Sequence, residues 1–304
     1  MEHDPSPTQA RCNFDKAMSL MIQFSPLMNR LCFFLLALLA AISSSPAQVQ
    51  LPQGIEKLDL TVNGVARTGF IYTPPSAKET PAPVIFVWHA HGGTAQNAAR
   101  SFAMYQHMPE AISVYLQGLN TPDQLSDLEG KNSTWQHVAG IERDRDLDLF
   151  DVTLAHLKEH YKVDSQRIFS TGHSSGGSFT YLLWQTRPDV FCAIAPSAGA
   201  IAIIATANPF SPGATPKPKP CMHLADTQDL QVKYEWQQLA IAKVKEINQC
   251  SAEGTPWDKE CTLFPSKVGA PFIAFIKEGG THNFPAEAPA LIAKFFKEQS
   301  AAAK

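Results

Sequence analysis

Apolar and polar positions alternate over residues 58–62 and again over 69–73, and Asn63-Gly64 between them marks a two-residue reversal. These segments are expected to pair as a hairpin. Residues 84–88 and 112–116 are instead continuous apolar runs, the pattern of strands covered on both faces. From Asp146 the period changes. Leu147, Phe150, Leu154, Leu157 and Tyr161 recur at helical spacing, with Asp144 or Asp146 available to cap the helix. Residues 167–171 alternate once more, and 177–184 read as a buried helix. Downstream, 193–195, 222–225 and 272–276 are short strands, while 234–247 and a segment through 291–296 are helices. Strands that alternate with helices predict an α/β class with a mostly parallel central sheet and helices on both faces. The proline-rich residues 208–220 are expected to form a stiff surface excursion.

Between the strand at 167–171 and the helix at 177–184 lies Gly172-His173-Ser174-Ser175-Gly176. A Gly-x-Ser-x-Gly in that context is a sharp strand-to-helix turn that lifts one hydroxyl clear of the sheet. Glycines two before and two after Ser174 let backbone and helix approach closely, and the helix start offers free N–H groups to a developing anion. A serine hydroxyl still needs a base, a group to orient that base and donors for an oxyanion.

The leader changes the boundaries of the fold. Asn29-Arg30, an apolar run over 31–42 and Ser45-Pro46-Ala47 resemble a secretory signal with a small-x-small cleavage site, and the run is too short to span a bilayer. Residues 1–47 are therefore excluded from the fold, with Met28 as an alternative initiator to Met1. Residues 48–304 suit a single α/β domain with a large core. A hydrophobic content of 44% and a net charge of -3 describe an ordinary globule without a basic patch for nucleic acid. Once the signal is removed nothing calls for stable membrane insertion. Of six cysteines, Cys12 and Cys32 leave with the leader. Cys250 and Cys261 bracket a polar loop and are expected to pair, while Cys192 and Cys221 are either paired or reduced core thiols.

Each remaining candidate follows a strand, where the loops of a parallel sheet gather. His91-Gly92-Gly93 follows 84–88, and the amide of Gly93 is the expected oxyanion donor beside that of Ser175. Asp229 follows the strand at 222–225, and His282 follows 272–276 beside Gly279-Gly280. The order Ser174, Asp229, His282 is that of the α/β-hydrolases. Here His282 would take the proton from Ser174 and Asp229 would fix its tautomer. Asp226 is the alternative acid. His173 is the variable residue of the turn, and His89 and His223 read as core groups at strand ends. His156-Leu157-Lys158-Glu159-His160 spells a zinc-peptidase pattern, but its helical phase turns both histidines away from the apolar stripe, so no metal and no cofactor are expected. Trp135 and Phe284 are candidate walls of a substrate pocket.

From about residue 58 to 296 the chain resembles the secreted esterase family of poly(3-hydroxybutyrate) depolymerases, feruloyl esterases and acetyl xylan esterases. The resemblance rests on Val62-Asn63-Gly64-Val65-Ala66-Arg67, His91-Gly92-Gly93, Val163-Asp164-Ser165-Gln166-Arg167-Ile168, Gly172-His173-Ser174-Ser175-Gly176-Gly177 and Gly279-Gly280-Thr281-His282. It implies an α/β-hydrolase, secreted or periplasmic, that cleaves carboxylic esters of feruloyl, acetyl or hydroxyalkanoate type through Ser174, Asp229 and His282. It also implies a small-molecule or oligomeric ester as partner and a Cys250–Cys261 staple. The acid loop His223-Leu224-Ala225-Asp226-Thr227-Gln228-Asp229 departs from the family's His-Gly-x-x-Asp, and Phe284 stands near the family's tryptophan after the histidine. A serine peptidase on the same fold and a catalytically inactive binding protein are the competing readings.

Overall fold

Val84, Phe86 and Trp88 bury themselves in one apolar layer, and Ile85 and Val87 of the same strand in another. A strand whose alternate side chains both reach a core must be covered on its two faces. The computed structural model, which describes residues 53–123, 127–201, 210–211 and 213–302, builds the whole fold around that requirement. The proposed signal segment lies outside the described residues, as do residues 202–207 and residues 208, 209 and 212 of the proline-rich excursion. Residues 51–304 cluster as one unit.

The chain opens with the antiparallel pair β1 (Ile55–Val62) and β2 (Val65–Tyr72), joined through Asn63 and Gly64 at φ 49° and 80°. Two positive φ values are what a tight reversal with the twist of the strands requires. β3 (Ala82–Trp88), α1 (Ala95–Phe102), α2 (Met104–His107) and β4 (Ile112–Leu116) follow, then the short pair β5 (Leu119–Asn120) and β6 (Ser133–Thr134). α3 (Arg145–His160), β7 (Val163–His173), α4 (Ser175–Thr186), β8 (Ala193–Ser197) and β9 (Cys221–Asp226) form the middle of the chain. The last part holds α5 (Tyr234–Ile247), β10 (Thr255–Asp258), β11 (Cys261–Phe264), β12 (Phe272–Lys277) and α6 (Ala288–Ala302).

Ten strands make one sheet in the order β1-β2-β4-β3-β7-β8-β9-β12-β11-β10. The six from β4 to β12 are parallel, and antiparallel pairs finish both ends. Leu147 and Phe150 of α3, Phe179 and Leu182 of α4 and Val244 of α5 cover one face. Ala98 of α1, Met104 of α2 and Ile292 and Phe295 of α6 cover the other. This is the α/β class that the patterning predicts.

Two expectations need correction. Neither Asp144 nor Asp146 caps α3 through its side chain. Asp144 lies at φ 56° and accepts from the Gly140 amide, whereas Asp146 is buried and accepts from Arg67 at 2.8 Å and from the Gln136 amide at 3.0 Å. Tertiary partners have claimed both carboxylates. Cys250 and Cys261 are not bonded, because Cys250 packs against the α3, α4 and α5 side of the sheet and Cys261 is buried on the opposite side. Cys192 and Cys221 are likewise free and divided between the two layers. The polar loop between Cys250 and Cys261 holds β10, which forms a ribbon with β11; main-chain pairing does there what a staple was expected to do.

Candidate active site

The turn after β7 is tight because Gly172 and Gly176 present no Cβ where strand and helix approach. A Cβ on Gly172 would lie 2.5 Å from the carbonyl of Gly176, and one on Gly176 would collide with the carbonyl of Trp88 on the neighbouring strand. Ser174 itself is held at φ 56° and ψ -119°, a strained conformation for a residue with a side chain. Its amide is anchored to the Ser197 carbonyl at 2.9 Å. The backbone strain thus aims one hydroxyl over the C-terminal edge of the sheet, at the N-terminus of α4.

Two loops from distant parts of the chain meet that hydroxyl. Ser174 Oγ lies 2.7 Å from His282 Nε2, and His282 Nδ1 lies 2.7 Å from Asp229 Oδ2. Asp229 is an acceptor on every side: Oδ1 receives the amides of Gln231 at 2.9 Å and Val232 at 3.0 Å, and Oδ2 also receives the Gln237 amide at 3.0 Å. Because carboxylates only accept, His282 carries its proton on Nδ1 and leaves Nε2 to accept from the Ser174 hydroxyl. The acid and histidine loops are also tied together, by Thr227 N to the Lys277 carbonyl at 3.1 Å and Gln228 N to the Gly280 carbonyl at 2.9 Å.

Burial pushes the Asp229 carboxyl up, but the hydrogen bond and charge of His282 and the two amides outweigh it and hold the group below its ordinary value. Asp226 behaves in the opposite way. Burial, and then the neighbouring Asp229, push its carboxyl up to about 6. No hydrogen bond joins Asp226 to His282, so of the two candidate acids it is Asp229 that meets the imidazole. The Asp226 carboxyl packs directly over Gly280, where a Cβ would push it aside.

The cleft over Ser174 has a volume of about 790 Å³. Its lining includes Ala90, His91, Asp123 and His137, and Leu230, Gln231, Val232, Lys233 and Trp236 from the segment after Asp229. Lys233 holds its ammonium 5.4 Å from the centre of the Trp236 ring, and Leu230 is 85% exposed. That segment follows Asp229 directly in the chain, a signal the sequence offered through position alone.

Three expected site residues stand elsewhere. The Gly93 amide is committed to the Ala90 carbonyl at 2.9 Å inside a tight turn, so it is not an oxyanion donor; Ala90 and His91 face the cleft in its place. Trp135 is fully buried, donates from Nε1 to the His89 carbonyl at 2.9 Å, and packs on Trp88 and Phe179 with centroids 5.1 and 5.3 Å away. It is a core residue. Phe284 packs against Phe102 at 4.2 Å and His173 at 5.5 Å, behind the histidine loop rather than in the cleft. Ser175 does line the cleft, at the start of α4. His156 and His160 stack on one another at 4.1 Å, and no cluster of metal-ligating side chains occurs among the described residues.

Residues 133–237 match the model of the prolyl oligopeptidase family. An acetylxylan esterase of Coprinopsis cinerea is 29% identical over 158 residues, which are 50% of this chain and 39% of that protein. Feruloyl esterase B of Neurospora crassa is 30% identical over 154 residues, 48% of this chain and 50% of that protein. The chain spans about half or less of the length of these two curated relatives. Among solved structures, an acetyl xylan esterase from Aspergillus awamori superposes with a TM-score of 0.59 at 13% identity, covering 80% of this chain and 99% of that one. A ferulic acid esterase from Anaeromyces mucronatus gives a TM-score of 0.55 at 15% identity, covering 84% and 94%. Sheet order, turn geometry and the likeness to these solved structures give the chain the α/β-hydrolase fold, and about half of its sequence is similar to parts of an acetylxylan esterase and a feruloyl esterase.

Proposed function

We propose that the protein is a secreted serine hydrolase that cleaves carboxylic esters through an acyl-enzyme, with Ser174 as nucleophile, His282 as general base and Asp229 as the acid that orients it. The observation that carries this reading is the unbroken path from Ser174 Oγ to His282 Nε2 and from His282 Nδ1 to Asp229 Oδ2, 2.7 Å at each step. His282 takes the hydroxyl proton as Oγ bonds to the ester carbonyl carbon, and returns it to the alkoxide as the carbon–oxygen bond of the alcohol breaks. Water then repeats the sequence on the acyl-serine and restores the free hydroxyl. The oxyanion is received by main-chain N–H groups at the start of α4 and in the first loop, for which Ser175 and His91 stand at the cleft.

An acyl group of feruloyl, acetyl or hydroxyalkanoate type, carried on a small or oligomeric alcohol, suits an open cleft that sets Leu230, Val232 and Trp236 beside polar groups such as His91, Asp123 and His137. Residues 48–304 act as a single catalytic domain, and residues 1–47 are its export signal. The match to the prolyl oligopeptidase family covers Ser174 and gives a peptidase reading its one specific support. Steady-state turnover of 4-nitrophenyl acetate, methyl ferulate, acetylated xylan, hydroxybutyrate oligomers and a prolyl 4-nitroanilide separates the two. Ester cleavage that disappears in Ser174→Ala is the expected result. Undiminished ester cleavage in Ser174→Ala, or turnover of the anilide alone, overturns it.

A further inference from the structure

We propose that Tyr181, His223 and Gln237 form a buried one-way hydrogen-bond relay that presents the Gln237 amide to Asp229 and so positions the acid, a role that rests on reading Ser174, His282 and Asp229 as a triad. The three residues come from α4, β9 and α5, and all are fully buried. Water is therefore not available to satisfy them, and each polar atom must find its partner within the chain.

The direction of every bond follows from the chemistry at one end. Gln237 Nε2 lies 3.0 Å from Asp229 Oδ2 and 2.7 Å from the Val232 carbonyl. Both partners only accept, so the NH2 end of the amide must face them. Its Oε1 then faces His223 Nε2 at 3.2 Å, and that nitrogen must carry the proton. His223 Nδ1 is left bare and accepts from the Tyr181 hydroxyl at 2.6 Å. Burial keeps the ring neutral, holding its pKa down at about 4. With the proton on Nδ1 instead, two acceptors would meet at Gln237, and the amide would have to turn its oxygen toward Asp229. A tautomer buried beneath the site thus decides whether the carboxylate that orients His282 meets a donor or a repelling lone pair. Tyr181, His223 and Gln237 are positioning residues: none lines the cleft.

The test uses the full chain with 4-nitrophenyl acetate, the variants Tyr181→Phe and Gln237→Met, their double variant, and Ser174→Ala as control. Gln237→Met is expected to lower kcat about 10-fold and Tyr181→Phe about threefold, with KM within about twofold of the parent. The double variant should be no slower than Gln237→Met alone, since the relay reaches Asp229 only through that amide. Nitrogen NMR of the histidine side chains should find His223 protonated on Nε2 in the parent. Parental kcat in Tyr181→Phe, losses that multiply in the double variant, or a proton on His223 Nδ1 each overturn the relay. Should Gln237→Met fail to fold by circular dichroism, Tyr181→Phe, which removes a single oxygen, decides alone. Turnover that survives Ser174→Ala would instead remove the triad reading, whatever the relay variants do.

Discussion

The ring Nε2 of His173 lies 3.1 Å from the main-chain carbonyl oxygen of His282, so the residue before the proposed nucleophile holds the backbone of the proposed base. A carbonyl only accepts, so Nε2 carries the proton, and Nδ1 accepts from the Ser197 hydroxyl at 3.1 Å. The two imidazoles also pack with centroids 5.0 Å apart. His173→Phe would keep a ring in that place and remove only the bond to the loop. It is expected to lower kcat about three- to 10-fold with little change in KM, as loss of alignment rather than of binding. Steady-state kinetics on an aryl acetate check this, and parental kcat would show that the loop aligns itself.

Buried neutral histidines give the fold a defined sensitivity to acid. Burial pushes His89, His173 and His223 down to about 4, whereas the unfolded chain would protonate each near about 6.5. Between those values the unfolded state binds more protons, so stability is lost as pH falls. Asp226 acts with the opposite sign, because its folded carboxyl takes a proton near about 6 and its unfolded form only lower down. His107, His137 and His156 are shifted the same way as the three buried rings, so the histidines outweigh the single aspartate and stability falls with pH across the window. Urea unfolding followed between about pH 4.5 and 7.5 measures the slope. A flat profile would contradict the neutral state of these rings.

Two tryptophans, one in the core and one at the cleft, should respond differently to the same change. Trp135→Ala empties a site packed between Trp88 and Phe179 and is expected to cost about 3–5 kcal/mol of stability. Trp236→Ala and Leu230→Ala, on the cleft wall, should leave the unfolding midpoint nearly unchanged while raising KM for aryl esters more than for acetyl esters. Thermal unfolding and kinetics on the same preparations separate the two classes. A stable Trp135→Ala with altered KM would return that residue to the pocket.

The same contrast shows how far the chain's own pattern reaches. The continuous apolar run of β3, the Asn63-Gly64 reversal and the glycines around Ser174 were legible because each is a local demand of the backbone, met by residues next to one another. The spacing after strand ends also brought Asp229 and His282 to one rim, since a parallel sheet collects those loops. Other expectations failed where a distant partner decides. Gly93 lost its amide to Ala90, Trp135 went inward to the His89 carbonyl, and the sheet itself separates Cys250 from Cys261. A letter in the sequence carries the side chain but not the face on which tertiary packing will bury it. The cleft lining after Asp229 was overlooked for a related reason, because Leu230 and Lys233 became part of a site only once Trp236 folded back beside them.

Asp226 and Asp229 stand three residues apart and should behave as opposites. In Asp229→Asn an amide can no longer stabilise the imidazolium, and its NH2 can face His282 Nδ1 and force the other tautomer, so turnover is expected to fall about 10³- to 10⁴-fold. Asp226→Asn removes a carboxyl that burial and Asp229 hold up at about 6. Above that pH the parent carries a second negative charge beside Asp229, so the variant should be more stable there and keep its kcat/KM within about threefold. Lys277, Glu287 and His173, the other groups that face this pair, are unchanged in both variants. The measurement is kcat/KM against pH for the two variants beside thermal unfolding at about pH 8. An inactive Asp226→Asn together with an active Asp229→Asn would transfer the role of acid to Asp226, and would require the His282 loop to move away from the carboxylate it now meets at 2.7 Å.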